Sequence, residues 1–289
     1  MSVTLNQLLE EGTEKLKKAG IEEAGLDARY LLLEAFHTDL THFLVDRNRT
    51  LNEEGESGES IRDFNHMLGL REKRIPLQQI TGSREFMGLD FFVNEHVLIP
   101  RQDTETLVEQ ILKDYKGRNP RVLDLCTGSG CIAISLAKLG RFESVVAADI
   151  SDEALKVAKK NGEVILGKEK ITFLLSDLFD AIGSDETFDV IVSNPPYIPT
   201  KVISQLQPEV RDHEPFLALD GKEDGLYFYR KLAAEGRNYL NPGGALYLEI
   251  GYDQKDAVSA LLWEAGFVNI RSWCDAAGLD RVVSGSLEK

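Results

Sequence analysis

Cysteine and histidine are scarce in this chain of 289 residues, which has three of the first and five of the second. Cys126, Cys131 and Cys274 show neither an even count nor metal-ligand spacing, and His37, His42, His66, His96 and His213 are scattered singly. Neither a disulfide framework nor a metal site is expected. Long apolar runs are also missing. No stretch approaches the roughly 20 residues that span a bilayer, and the start of the chain lacks a basic region followed by an apolar one. No membrane partner is expected, and the cytoplasm is the expected compartment. Positive charge is in deficit, with 33 Lys and Arg against 48 Asp and Glu and a net charge of −15. A protein that grips a polyanion ordinarily carries a basic face, so direct nucleic-acid binding is not expected. Hydrophobic and charged contents of 43% and 28% are those of an ordinary globular protein, long enough for two domains.

Proline is sparse too, nine in all, yet two stand side by side in Asn194-Pro195-Pro196-Tyr197. They follow an apolar run, Phe188 to Ser193, that reads as a buried strand. Adjacent prolines forbid both strand and helix continuation, so the chain must leave the sheet in a stiff extended turn. That turn presents the Asn194 carboxamide, a proline carbonyl and the Tyr197 ring at the carboxyl edge of a sheet, where open α/β sheets bind ligands. The chemistry that suits this corner is methyl transfer to a planar nitrogen.

Upstream, Val122 to Gly130 (VLDLCTGSG) reads as strand and tight glycine turn, followed by a helix with an apolar face. Gly128 and Gly130 permit positive φ and close approach of a ligand to the backbone. The spacing is not G-x-G-x-x-G, and no Lys-Ser/Thr follows as in a P-loop. A second strand, Ser144 to Ala148, ends in Asp149, about 20 residues past the glycine turn, where an acid accepts from ribose hydroxyls. A nucleoside without phosphates fits at least as well as a dinucleotide, and S-adenosylmethionine is one. Taken singly, each feature has an ordinary reading: Pro-Pro ends a strand, the glycines make a β-α turn, and Asp149 caps a helix. Their ordered combination favours a site.

Residues from about Thr4 to Arg74 read as entirely helical. Leu5, Leu8, Leu9 and Leu16, and then Ala28, Leu31, Leu32, Ala35 and Phe36, recur at helical spacing, and a later helix carries Ile61, Phe64, Met67, Leu68 and Leu70. Asp27 and Asn52 are the expected helix caps, and Gly55 to Gly58 an irregular turn. Gly88, between two short apolar alternations, predicts a β-hairpin. From Arg121 onward strands alternate with helices: strands at 121–125, 144–149, 171–175, 188–193, 244–250, 267–272 and 280–284, helices near 130–139, 151–165, 224–239 and 254–265. The fold class is therefore α/β. A doubly wound Rossmann-like sheet with an antiparallel last strand is preceded by a small helical bundle and a hairpin linker. The expected domains are 1–75, 76–95 and 96–289.

This layout resembles the peptide chain release factor glutamine methyltransferases. The matching residues run from Arg74-x-Pro76-Leu77-Gln78 through Glu85-Phe86-x-Gly88-Leu89 and Ile99-Pro100-Arg101-x-x-Thr104-Glu105 to Asp124-Leu125-x-Thr127-Gly128-Ser129-Gly130 and Asp149-Ile150-Ser151. They continue with Ser176-Asp177-Leu178-Phe179, Asn194-Pro195-Pro196-Tyr197-Ile198, Glu214-Pro215, Asp224-Gly225-Leu226 and Leu248-Glu249-Ile250-Gly251, and end at Gly278-x-Asp280-Arg281. The resemblance implies transfer of a methyl group from S-adenosylmethionine, leaving S-adenosylhomocysteine, to the side-chain amide of the glutamine in the Gly-Gly-Gln motif of bacterial release factors. The N-terminal helices are expected either to dock that partner or to serve as an oligomerisation or stability module, and a monomer is expected. By the same pattern Asn194, Pro195, Pro196 and Tyr197 are the catalytic corner. The Asn194 oxygen and the Pro195 carbonyl hold the acceptor amide, and Tyr197 packs against its plane. Cys126, Thr127, Gly128, Ser129 and Gly130 form the cofactor turn, with Asp149 on the ribose, Leu178 against adenine, Asp177 either on its amine or capping a helix or turn, and Asn194 near the methionine end. Glu105 and Glu249 read as inward-looking acids with structural hydrogen bonds, and Arg101 as a partner for Glu105 or a loop anchor. Two departures stand out: Cys126 replaces the family's usual glycine, and Gln102 its usual proline.

Three other functions fit parts of the pattern. Glutamine methylation of a ribosomal protein uses the same chemistry, and Ile198-Pro199 with Val210 and Glu214-Pro215 favours the release-factor side. Methylation of an adenine amine in DNA uses a similar corner but requires base flipping and a basic surface. A binding module without catalysis leaves the intact corner unexplained.

Overall fold

The computed structural model describes residues 3–52, 55–167 and 171–288. The chain divides into two compact units, Met1–Gly82 with Gln207–His213, and Ser83–Leu206 with Glu214–Lys289.

The first unit holds helices α1 (Leu5–Lys18), α2 (Ala24–Ala35), α3 (Leu40–Asp46), α4 (Glu56–Glu72) and α5 (Leu77–Thr81), with a short antiparallel pair β1 (Val3–Thr4) and β2 (Thr50–Leu51). Leu8, Leu16, Ala28, Leu31, Leu32, Phe64 and Leu68 interlock as its core. Gly12 lets α1 approach α4, since a Cβ there would lie 2.8 Å from the Phe64 ring. Two capping expectations fail. Helix α2 begins before Asp27, whose buried carboxylate instead accepts from Arg71 Nε at 2.7 Å. Helix α4 is preceded by Gly55 at φ 71° rather than by Asn52, and it runs through Ser57 and Gly58, where an irregular turn was expected. Asp27 instead answers the buried Arg71 guanidinium, which would be costly to leave without an acid.

The second unit opens with the hairpin β3 (Ser83–Phe86) and β4 (Leu89–Phe92), turning at Gly88 with φ 71°. Helix α6 (Glu105–Asp114) then leads into a seven-stranded sheet. Its strands are β5 (Arg121–Leu125), β6 (Ser144–Asp149), β7 (Ile171–Leu175), β8 (Phe188–Ser193), β9 (Leu240–Glu249), β10 (Val268–Cys274) and β11 (Asp280–Ser286), in the order β10-β11-β9-β8-β5-β6-β7. The first five run parallel, β11 is antiparallel to both its neighbours, and the order reverses between β5 and β8. Helices α7 (Cys131–Leu139) and α8 (Asp152–Leu166) follow β5 and β6. Between β8 and β9 lie α9 (Thr200–Ile203), α11 (Phe216–Leu219) and α12 (Tyr227–Gly236), and α13 (Lys255–Glu264) follows β9. The helical turn α10 (Pro208–His213) in this stretch belongs to the first unit.

Successive strand residues point to opposite faces, and both faces are covered. Val122, Val190, Val192 and Tyr247 pack on one side, and Leu123, Ile191, Leu246 and Leu248 on the other. This explains why the central strands read as continuous apolar runs. Two details differ from expectation. Strand β9 starts at Leu240, with a register irregularity opposite Asp189 that absorbs Pro242 and Gly243. The stretch after the Pro-Pro corner, to which the sequence assigned no element, contains the short helices.

Candidate active site

Parallel strands deliver their carboxyl ends to one edge, and the order reversal between β5 and β8 opens a crevice there. A cavity of about 300 Å³ lies at that edge. Its wall includes Cys126, Thr127, Gly128 and Ser129 from the turn after β5, Asp149 from β6, Asp177 and Leu178 after β7, and Asn194 and Pro196 after β8. Gly130, Pro195 and Tyr197 do not line it. A second cavity of about 570 Å³, lined by Tyr115, Arg118, Asp189 and Pro242, opens at the amino ends of β5 and β8 and holds none of the motif residues. Sheets of this kind do not bind ligands at that edge, so we assign no chemistry to it.

The turn is built around Asp124, an acid inside an apolar strand. Its Oδ2 accepts from the Thr127 hydroxyl at 2.6 Å and from Ala133 N at 3.2 Å, which ties the turn to the start of α7. Burial pushes its carboxyl up to about 7, and Oδ1 has no hydrogen-bond partner among the described residues. Gly128 has φ 55°, and a Cβ there would meet nothing within 4 Å, so its bare face looks onto open space. Gly130 serves packing instead: a Cβ would lie 2.8 Å from Ile134 and 3.2 Å from Ala158. Cys126 adopts φ 61°, the left-handed region that favours glycine and costs a side-chain residue roughly 1–2 kcal/mol. Asn161 of α8 braces the turn, donating to Ser129 O at 2.9 Å while exchanging bonds with the Phe92 backbone.

Asp149 receives Gly128 N on Oδ2 at 2.8 Å and Ser151 N on Oδ1 at 2.9 Å. Burial raises its pKa despite these amides. Ser151, not Asp149, caps α8, accepting from Ala154 N. Each Asp149 oxygen keeps a lone pair for a further donor. Asp177 is exposed, and the local turn is held by Ser176, whose hydroxyl accepts from Ala181 N at 3.0 Å. Leu178 is buried in the wall at φ 49°.

The Asn194–Tyr197 corner is locked from behind. Ile198 bridges Asp220 in parallel, with Ile198 N donating to Leu219 O at 3.0 Å and Gly221 N to Ile198 O at 2.8 Å. Gln254 Nε2 donates to Tyr197 O at 3.1 Å and to Gly225 O at 3.3 Å, while its Oε1 accepts from Gly251 N. A Cβ on Gly221 would lie 2.7 Å from the Tyr197 backbone, so only glycine allows this approach. Tyr197 packs into the core with Tyr229 and Phe228 nearby, and burial pushes its phenol up to about 12. Arg101, at the cavity, pairs with the buried Glu214 at 2.6 Å rather than with Glu105, which accepts from Met87 N. Glu249 ends β9 fully buried, its carboxyl pushed up to about 7 by burial and facing Thr104 and Asn194.

Sequence reasoning gave no role to Asp124, Asn161, Thr104 or Gln254. An acid within the apolar runs around Asp124 and Glu249 was a legible signal, since charged groups are rarely buried without a purpose. Asn161 lies within an ordinary helix and Gln254 at the cap of another, and neither carried a signal.

The methyltransferase small domain model matches residues 101–208, and the PrmC N-terminal domain model matches residues 7–82. The chain is 41% identical over 287 residues to the release factor glutamine methyltransferase of Geobacter sulfurreducens, covering 98% of this chain and 97% of that protein. It is also 41% identical over 286 residues to the release factor glutamine methyltransferase of Caulobacter vibrioides, covering 99% and 97%. A solved methyltransferase from Pyrococcus furiosus shares the fold, with a TM-score of 0.52 at 19% identity over 71% of this chain and 91% of that one.

Proposed function

The chain belongs to the release factor glutamine methyltransferase family, and from that premise we propose that it methylates the side-chain amide nitrogen of the Gly-Gly-Gln glutamine in bacterial release factors. One observation carries this reading: Gly128 of the glycine turn, Asp149, and Asn194 and Pro196 of the corner converge on one cavity although they come from strands far apart in sequence.

The cavity fits S-adenosylmethionine. It offers a nucleoside-sized space, a glycine whose missing Cβ leaves room beside the backbone, an acid with spare lone pairs for ribose hydroxyls, and an apolar wall at Leu178 and Phe228. Three acids stand in or against it: the half-buried Asp149 in the wall, and the buried Asp124 behind Thr127 and Glu249 behind Thr104 and Asn194. That donor set suits a ligand carrying a sulfonium and an ammonium. When bound, the cofactor supplies an electrophilic methyl carbon with a neutral thioether as leaving group.

The protein's own task is orientation. An amide nitrogen is a poor nucleophile because its lone pair is delocalised into the carbonyl. Asn194 Oδ1 and the Pro195 carbonyl accept the two amide hydrogens, which holds the nitrogen with its out-of-plane face toward the methyl position. Pro195 and Pro196 have no N–H, so neither competes for these acceptors. The brace from Gln254 and Gly221 keeps both oxygens at fixed separation. Tyr197, packed into the core, supports the corner from beneath. The N-terminal helices present exposed Tyr30, Leu40, Leu44 and Val45, an apolar surface suited to docking the protein substrate. One chain carrying the whole corner and the cofactor turn supports action as a monomer, and a release-factor substrate supports a cytoplasmic location.

Incubation with labelled cofactor and purified release factor, then mass spectrometry of the glutamine-bearing peptide, tests this. Label on that glutamine is expected, and Asn194→Ala should lose it while the fold stays intact. Label on a ribosomal protein or on DNA, with none on release factor, would refute the substrate assignment.

A further inference from the structure

We propose that Glu249 is the positioning residue of the catalytic corner: its carboxyl accepts the amide N–H of Asn194 and thereby fixes the Asn194 oxygen toward the methyl acceptor. This rests on the reading that Asn194 holds the acceptor amide.

Strands β8 and β9 pair with Ser193 opposite Leu248, so Asn194 and Glu249 leave the sheet side by side at its carboxyl edge. Glu249 is 2% exposed, its Oε2 has no hydrogen-bond partner among the described residues, and the donors facing its carboxyl are the Thr104 hydroxyl and the Asn194 side chain. It is not half of an ion pair. Arg281 of β11 faces it, but that guanidinium is held by Asp275 at 3.0 Å and Asp103 at 3.3 Å. The other titratable groups around it are Asp103 itself, Tyr197, Tyr229 of α12 and Cys131 of α7, none of which supplies a cation. A desolvated acid with one free oxygen is costly to keep, and what it touches is the corner.

The two ends of a carboxamide have nearly the same shape, so only a partner selects between them. A carboxylate is acceptor-only and therefore takes the NH₂ end of Asn194. The oxygen then faces the cavity and accepts from the N–H of a primary amide. With the ends exchanged, NH₂ would face NH₂, and a carboxylate side chain would be the better ligand. Glu249 thus determines which class of acceptor the corner holds. A protonated carboxyl gains an O–H that can face the Asn194 oxygen instead, so the selection weakens as pH falls through about 7, the value to which burial pushes this group.

The test uses the full chain with a release factor, measuring kcat and KM across pH, cofactor affinity by calorimetry with S-adenosylhomocysteine, and thermal midpoint. Glu249→Gln keeps an acceptor oxygen and cannot titrate. Like the protonated acid it offers one acceptor and one donor, so it should lose about tenfold in kcat at pH 8, match wild type at low pH, and lack the acid limb that wild type shows near pH 7. Glu249→Leu removes the acceptor and should lose about 100-fold in kcat, with cofactor affinity and thermal midpoint close to those of the Gln variant. A Leu variant within threefold of wild type, a Gln variant that retains the acid limb, or a loss in both that follows cofactor affinity would overturn the role of Glu249. Wild-type protein that binds S-adenosylhomocysteine but methylates no release factor would refute the function itself, and the role with it.

Discussion

Asp149→Asn separates cofactor recognition from folding. The carboxylate accepts Gly128 N at 2.8 Å and Ser151 N at 2.9 Å. An asparagine has one acceptor oxygen, so it keeps one of these bonds and sets its NH₂ against the other donor. A hydrogen bond to a charged group contributes about 1.5–3 kcal/mol, and that is the gross loss in stability. Burial is the larger influence on this group and raises its pKa, so the native state already disfavours the charge. Removing the charge returns part of that desolvation cost. The two effects oppose each other, and the net change in stability should be about 1 kcal/mol, a shift of roughly 2–4 °C. Cofactor binding has no such offset. Two ribose hydroxyls lose a charged acceptor, and at about 1.5 kcal/mol each the affinity should fall about 150-fold. Calorimetry with S-adenosylhomocysteine and thermal melts read the two quantities separately. An affinity within threefold of wild type would refute the placement of the ribose on Asp149. A collapse of about 10 °C or more would show that Asp149 serves the turn rather than the ligand.

Cys126→Gly releases a side chain from φ 61° and should raise stability by up to about 1 kcal/mol, since strain relief of 1–2 kcal/mol exceeds glycine's entropic cost; urea unfolding measures it, and a lower midpoint would contradict the strain. Arg101→Ala leaves Glu214, whose side chain is 1% exposed, without its cation and should cost about 3 kcal/mol. Adding Glu214→Gln should recover part of that loss in thermal melts, and additivity would show the pair to be uncoupled. Gly221→Ala forces a Cβ to within 2.7 Å of the Tyr197 backbone, so kcat should drop tenfold or more while cofactor affinity holds; unchanged turnover would remove the case for a rigid corner. Burial raises Asp124 to about 7, so its contribution to stability is fully present below the unfolded value near 4 and is lost as pH rises through 7. Asp124→Asn should therefore gain relative to wild type between pH 4 and 8 in urea midpoints, and parallel curves would refute the raised pKa.

The sheet was legible because its strands are buried on both faces and so read as continuous apolar runs of Val, Leu and Ile between turn signals. The Pro195-Pro196 break and the Gly128–Gly130 turn were legible because both impose backbone geometry locally. Asp27 misled, since its local preference for a helix end yielded to a guanidinium 44 residues away. Arg101 and Glu214 are 113 residues apart, and Gln254 and Tyr197 are 57 apart. Pairings at such distances leave no periodic mark on a single chain. Asp124 and Glu249 lay between these cases, visible as acids in apolar strands but mute about what they hold.

Local chemistry alone therefore determined the strands, the stiff corner and the open glycine turn, because each depends on φ/ψ limits and side-chain periodicity within a few residues. The tertiary structure decided that Asn194, Asp149 and Gly128 share one cavity, that Tyr197 supports the corner from the core, and that Glu249 lies against Asn194. Those outcomes depend on strand order and on desolvation, which arise only when distant segments pack.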